Sequence, residues 1–361
     1  MKRLFAGMTA ALLAVILVFS FPAKAMSAKS AILIDCTSGR VLKEKNADQM
    51  SLIASTTKIM TALVICERCN VLDRMRIPKE AVGIEGSSMY LREGEIFTIQ
   101  DLLYGLMLHS GNDAAVALSI YCAGTIEGFS QLMNDKAKSL GMENTHFENP
   151  HGLDTANHYS TASDLAILAS YAMNNPIFEK IVSTKTITVG NRSLKNHNKL
   201  LWLLEGADGV KTGYTKAAGR ILVSSAKRDG RRLVAVTIND PNDWQDHQAL
   251  IESAFTCYET RLIVAEGDVM GTIEIAGGEE GSVQFIAEES FSYPLTENES
   301  VQIYLPAPGF VYAPVAEKQT AGIAQIYLGD TWIGSIELTY GQTVEQEKQQ
   351  NSGIFHRFRG G

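Results

Sequence analysis

The stretch Ser55-Thr56-Thr57-Lys58-Ile59-Met60-Thr61-Ala62-Leu63-Val64-Ile65 opens an apolar helix with a hydroxyl and an amine three residues apart on one helical face. In that placement a nucleophile and a base can touch. A serine at a helix N-terminus also has unpaired backbone N–H groups and the positive end of the dipole beside it, which suits a developing oxyanion. The spacing alone decides little, and the chain supplies its own control. Ser224-Ser225-Ala226-Lys227 repeats it in a predicted strand, where positions i and i+3 face opposite sides.

Outward from this helix, Ala31 to Asp35 and Val41 to Glu44 are β-prone runs joined by Thr37-Ser38-Gly39, which predicts a hairpin. Apolar residues at three-to-four spacing predict helices over Ser55 to Cys66, Ile99 to Leu108, Asn112 to Tyr121, Phe129 to Leu140 and Ser163 to Met173. Strand character returns at Thr186 to Val189, Gly209 to Thr212, Arg220 to Ala226 and Leu233 to Asn239, and Trp244 to Tyr258 predicts a closing helix. Strands at both ends of a helical middle suit an α+β domain. Its antiparallel sheet takes its edges from the two chain ends, helices pack on it, and a helical lobe is inserted, with the cleft between lobe and sheet. After Ile263 the pattern changes to short alternating strands, Gly271 to Ile275, Ser282 to Ile286, Val301 to Leu305 and Gly322 to Tyr327, as in a small all-β domain.

Composition agrees with two domains. At 361 residues, 45% hydrophobic and 20% charged, the chain is too apolar for disorder and long enough for two cores. From Val264 to Glu345 there are 13 acidic residues against Lys318 alone, whereas Met26 to Ile263 holds 26 acidic against 25 basic. That break marks a boundary. At the start, Lys2 and Arg3 precede an uncharged run from Leu4 to Phe21, and Ala23-Lys24-Ala25 supplies a small-x-small cleavage pattern, so residues 1–25 read as a signal peptide. The expected organisation is a leader (1–25), a catalytic domain (26–260), a β-rich domain (264–345) and a polar, basic tail (346–361). Without the leader, 29 basic residues face 40 acidic ones, a net charge of −11, which disfavours nucleic acid as a partner. Five cysteines are an odd number for a disulfide framework and read as packing thiols.

Two further motifs join the first. Ser110-Gly111-Asn112 falls in a turn between two helices, and Lys211-Thr212-Gly213 on a strand near the end of the same domain. Taken singly they are a helix boundary and a strand entering a turn. Together and in this order they form a three-part serine site. At this point the chain resembles the low-molecular-mass penicillin-binding proteins that act as serine D-alanyl-D-alanine carboxypeptidases. Pro150-His151-Gly152-Leu153-Asp154, Tyr159-Ser160 with Ser163-Asp164-Leu165-Ala166, and Asn196 to Trp202 leading into Asp208 to Thr215 extend the resemblance. It covers roughly Ala31 to Tyr258, and a C-terminal β-rich domain is also a feature of the family. Gly111 stands where class A β-lactamases usually carry Asp.

The resemblance implies a β-lactamase/transpeptidase-like catalytic domain in which Ser55 attacks the penultimate D-alanine carbonyl of a peptidoglycan stem peptide. An acyl-enzyme forms, D-alanine leaves, and water completes hydrolysis. Lys58 is implied as base, Ser110 as proton relay, Asn112 as a clamp on the substrate amide, and Lys211 with Thr212 as the site for the terminal carboxylate. Gly213 lets the peptide approach the strand, and the backbone N–H groups of Ser55 and Tyr214 form the oxyanion hole. No metal or organic cofactor is implied, and β-lactams are implied as inhibitors. For Lys58 to be neutral at pH 7 from an ordinary pKa, about 4.6 kcal/mol must come from its surroundings; burial and the Lys211 charge both act in that direction. His197 stands where some relatives carry Arg, and Tyr214 where some carry His. The tail offers only Gly353 to Arg359 as apolar and basic residues together, about two turns, too short for firm interfacial binding. An exported enzyme at the outer face of the cell membrane, in the wall or secreted is therefore expected. The rival readings are a β-lactamase on the same fold, a related endopeptidase that cuts D-alanyl cross-links, and a non-catalytic penicillin-binding wall protein.

Overall fold

In a computed structural model, which describes residues 26–306 and 309–348, the first strand is buried along its whole length. That strand, Ser30–Asp35, lies inside a five-stranded sheet whose neighbours all run antiparallel, in the order Val41–Lys45, Ser30–Asp35, Arg231–Ile238, Gly219–Arg228, Ala207–Thr215. The N-terminal hairpin forms one edge and the Lys211 strand the other. Both faces are covered, which is why its central strands read as near-continuous apolar runs. On one face Leu33, Leu222, Leu233 and Ala235 meet Leu250, Ile251 and Ala254 of the helix Asp243–Cys257. On the other, Ile32, Ile34, Ile221, Val223, Val234 and Val236 join the core of the helical lobe.

The lobe is built around the helix Lys58–Arg68. Every residue from Lys58 to Ile65 is buried, as expected of a helix apolar on all sides. The helices Ile99–Leu108, Asn112–Ala123, Ile126–Ser139, Ala162–Ala172 and Pro176–Ser183 surround it. Pro176 sits at the first helical position, where its missing N–H is no loss, and the Asn175 side chain caps the helix by accepting from Ile177 and Phe178. Thr186–Val189 is a strand as its sequence suggests, but it pairs with Arg192–Lys195 in a separate hairpin and not in the main sheet.

After the closing helix, Glu259–Val264 pairs with Phe291–Leu295. A six-stranded sheet then follows in the order Val301–Tyr304, Thr320–Leu328, Thr331–Tyr340, Ser282–Ala287, Val269–Ala276, Val311–Tyr312. Its core gathers Ile273, Val283, Phe285, Ala324 and Leu338. The two parts meet at Arg40, whose guanidinium donates to Glu299 Oε2 at 3.1 Å and lies 5.1 and 5.4 Å from the Tyr258 and Tyr293 ring centroids. The leader and most of the tail lie outside the described residues. Among those described, no helix is long and apolar enough to cross a membrane.

Candidate active site

Ser55 does not sit on the α-helix proper. It occupies a 3-10 turn, Ala54–Thr57, and the α-helix begins at Lys58. The turn is entered through Ala54 at φ +46, a left-handed conformation that is uncommon for a residue with a side chain. Such residues cost of order 1–3 kcal/mol and persist only where packing holds them. Here the packing is visible: a Cβ on Gly152, itself at φ +87, would lie 1.9 Å from the Ala54 carbonyl oxygen. Only glycine can occupy that position. The segment around it is pinned to the helix, because Thr61 Oγ1 donates to the Pro150 carbonyl at 2.7 Å and Thr57 Oγ1 lies 2.7 Å from His158 Nε2. His158 Nδ1 accepts from the Glu148 N–H, so the ring proton belongs on Nε2 and donates to Thr57.

Lys58 is fully buried, and its ammonium position is defined by three acceptors. It donates to Ser55 Oγ at 3.0 Å, to Asn112 Oδ1 at 2.7 Å and to the His151 carbonyl at 2.6 Å. Three protons and three acceptors match. When the amine is neutral, the two shorter bonds keep their hydrogens and the lone pair faces Ser55, ready to accept its proton. Burial holds the Lys58 pKa well below its ordinary value, the Lys211 charge lowers it further, and Asp113 opposes. Lys211 is also buried, on the edge strand, and burial brings its pKa down to about 7.

The Ser110-Gly111-Asn112 turn reaches the same place. Ser110 is left-handed at φ +61, and the helix Asn112–Ala123 starts immediately after it. Asn112 uses both halves of its amide, accepting from Lys58 and donating through Nδ2 to the Glu85 carbonyl at 2.5 Å. Next to it, buried Asp113 accepts from the Met89 and Leu91 backbone N–H groups, both at 3.0 Å, from its neighbour Ala114 and from Ser88 Oγ. This carboxylate ties the Glu85–Leu91 loop to the site. It went unassigned from sequence, although its place directly after Ser110-Gly111-Asn112 was a signal.

Ser55, Ser110, Thr212, Gly213 and Tyr214 line one cleft of about 310 Å³, with His197, Arg220 and Trp244 on its walls. Lys58 and Asn112 are buried next to it, joined to Ser55 through the Lys58 amine. A Cβ on Gly213 would fall 3.2 Å from the Ile53 carbonyl and 3.3 Å from the Ser55 nitrogen, so the edge strand runs hard against the serine turn. All eight residues expected from sequence converge. Arg220, held by Asp243 at 2.7 Å, and the His151 carbonyl also belong here, and neither was singled out for a role beforehand.

The second Ser-x-x-Lys segment lies elsewhere. Ser224 is buried inside the sheet with its hydroxyl 2.6 Å from His247 Nδ1, while Lys227 points to solvent.

With this geometry in place, comparison with known proteins is direct. The D-alanyl-D-alanine carboxypeptidase family matches residues 18–242, and the C-terminal domain of penicillin-binding protein 5 matches residues 258–346. The D-alanyl-D-alanine carboxypeptidase DacF of Bacillus subtilis is 32% identical over 314 residues, spanning 82% of this chain and 81% of its own. Among solved structures, penicillin-binding protein 5 from Haemophilus influenzae superposes with a TM-score of 0.76 at 30% identity, covering 89% of this chain and 98% of its own. Penicillin-binding protein D2 from Listeria monocytogenes, solved in an ampicillin-bound form, gives 0.60 at 29% identity over 65% of this chain and all of its own. A serine-type hydrolase site on this fold, matched along both domains, places the chain in the D-alanyl-D-alanine carboxypeptidase family of serine peptidases.

Proposed function

We propose that this chain removes the terminal D-alanine from peptidoglycan stem peptides through an acyl-enzyme on Ser55. The observation that carries the reading is a serine hydroxyl that lines a cleft with Thr212 and Gly213 and lies 3.0 Å from a buried lysine amine, with Lys211 buried beside Thr212 on the same edge strand. Neutral Lys58 takes the Ser55 proton as the oxygen attacks the penultimate carbonyl. The Ser55 and Tyr214 N–H groups hold the developing oxyanion. Ser110, on the opposite wall, passes a proton to the leaving amine, and the second N–H of Asn112 Nδ2 is available to the substrate amide. The terminal carboxylate docks on Lys211 and Thr212. Binding an anion there raises the Lys211 pKa from its resting value near 7, so carboxylate and proton are taken up together.

A β-lactam presents the same carbonyl and carboxylate but keeps its leaving nitrogen attached, and so should acylate Ser55 and block deacylation. The organisation that fits this role is a cleaved leader (1–25), a catalytic domain (26–260), an acidic β-domain (264–345) acting as a spacer, and a tail (346–361) with little hold on a membrane, on an exported protein. The test is an intact-mass time course with a penicillin, run beside D-alanine release from a diacylated Lys-D-Ala-D-Ala peptide. A long-lived adduct on Ser55 together with D-alanine release is the expected result. Rapid penicillin turnover without D-alanine release would contradict it.

A further inference from the structure

At the first residue of each helix, the Lys58 amine of Lys58–Arg68 donates to Asn112 Oδ1 of Asn112–Ala123 at 2.7 Å. From there the two helices pack against each other. Cys69 stands eleven residues beyond Lys58 and Cys122 ten beyond Asn112, rises of about 16 and about 15 Å at the helical 1.5 Å per residue. Near-equal rises from a shared start make the two cysteines level at the far end. There the thiols meet, with the Cys69 S–H donating to the Cys122 sulfur. The same end is held a second time: Tyr121 Oη donates to Asp73 Oδ2 at 2.9 Å, and Asn70 Nδ2 donates to Asp73 Oδ1 at 2.9 Å in the turn that follows Cys69. The helices are thus parallel, clasped at the catalytic end by an amine and an amide and at the other by two thiols.

All five cysteines are free thiols, and their settings differ. Burial pushes Cys66, one turn before Cys69, up to about 12, and Cys36 up to about 11, so neither offers a thiolate at neutral pH. Cys122 goes the other way. The Cys69 S–H and then the Arg68 guanidinium lower its pKa, which gives it thiolate character. Cys69 is raised, chiefly because its proton is shared with Cys122. Both sulfurs belong to half-buried residues, within reach of a small reagent. A nucleophilic thiol and a second thiol to resolve it therefore stand side by side.

We propose that Cys69 and Cys122 are a cross-link site, closed by a disulfide-bearing oxidant of the kind an exported chain meets, which ties together the far ends of the two helices that carry Lys58 and Asn112. The step balances. The Cys122 thiolate attacks one sulfur of the oxidant, whose S–S bond breaks, and a first thiol leaves. Capping Cys122 removes the thiolate that held the Cys69 proton, so Cys69 ionises and attacks the Cys122 sulfur. The mixed disulfide breaks and a second thiol leaves. Two protein thiols have given two electrons and two protons to the oxidant.

The bond closes a loop of about fifty residues, long enough to restrict the unfolded chain strongly. That loop includes Ser110 and Asn112. The cross-link touches no catalytic group, so its effect is on how firmly the helix pair stays together and not on the chemistry at Ser55.

The test treats the reduced protein with oxidised glutathione, alkylates the remaining thiols after unfolding, and maps peptides without reduction. A peptide pair joined through Cys69 and Cys122 is expected, with Cys36 and Cys66 alkylated. The melting temperature of the oxidised protein should exceed that of the reduced protein by about 5–10 °C, and dithiothreitol should remove the difference. Cys69→Ser/Cys122→Ser should melt at one temperature with or without oxidant, whereas Cys66→Ser should keep the whole shift. A glutathione adduct that persists on Cys122 would overturn the cross-link, as would a bond from Cys66 to either partner. A closed Cys69–Cys122 bond that leaves the melting temperature unchanged would overturn its role as a tie between the helices. None of these outcomes bears on the carboxypeptidase reading of Ser55.

Discussion

Ser55 to Lys58 and Ser224 to Lys227 have the same spacing and opposite fates. In the first, a 3-10 turn running into an α-helix puts both side chains on one side, 3.0 Å apart, with the serine lining a cleft and the lysine buried beside it. In the second, the strand's two-residue period sends Ser224 into the core and Lys227 into solvent. Burial differs in kind as well. Lys58 is buried beside a second lysine and loses its proton readily, whereas Ser224 is buried beside His247, which satisfies its hydroxyl. In the proposed mechanism, reactivity comes from a buried amine with a lone pair to offer.

The sharpest way to break this contrast is to delete each serine. Ser55→Ala should lower turnover by about 10⁴-fold and abolish the penicillin adduct, while Ser224→Ala should still acylate. An adduct of unchanged mass on Ser55→Ala would sink the assignment.

The lysines come next. Lys58→Met should slow acylation by about 10³-fold, the loss of a general base. Lys227→Ala should stay within about twofold. Because the Lys58 pKa is lowered, wild-type acylation should rise with pH as that amine loses its proton and then level off. A single-turnover pH profile reads the step directly.

Stability separates the two segments the other way. His247→Ala removes the partner of Ser224 and Thr237 and should cost about 3 kcal/mol in urea unfolding, with acylation by penicillin retained. His247 has its pKa pushed down to about 3 by burial, against an ordinary 6.5. The unfolded chain therefore takes up a proton below pH 6.5 that the folded chain refuses, and stability falls between pH 6.5 and 3. His247→Gln should flatten part of that slope; an unchanged slope would mean the ring is solvated.

The smallest effect belongs to Lys211. It must be protonated to hold a carboxylate, so as pH rises above about 7 the KM for a free C-terminus should climb, by at most about tenfold per unit. For an amidated C-terminus KM should stay flat. Parallel rises on both peptides would remove Lys211 from carboxylate recognition.

Much of this was legible beforehand where the signal is local. The helices Ile99–Leu108 and Asn112–Ala123 begin where periodicity and turn residues predict, and Ser282–Ala287 alternates as a half-buried strand should. Pro176–Ser183 was hidden because its proline reads as a breaker unless its first-turn position is known. The 3-10 geometry of Ser55 escaped because it depends on Gly152, nearly a hundred positions away, accepting Ala54 against its backbone. Asp113 and the His151 carbonyl escaped for a similar reason: their partners lie on other segments.

By itself the sequence determined which groups are present and on which kind of element each lies, because helix, strand and turn preferences act over a few residues. It also determined the family, through three short motifs in a fixed order. Tertiary structure decided which of two identical spacings became a site. Packing alone brings Asn112, His151 and Lys211 around Lys58, and the pKa of an amine is set by what surrounds it, not by its neighbours in the chain.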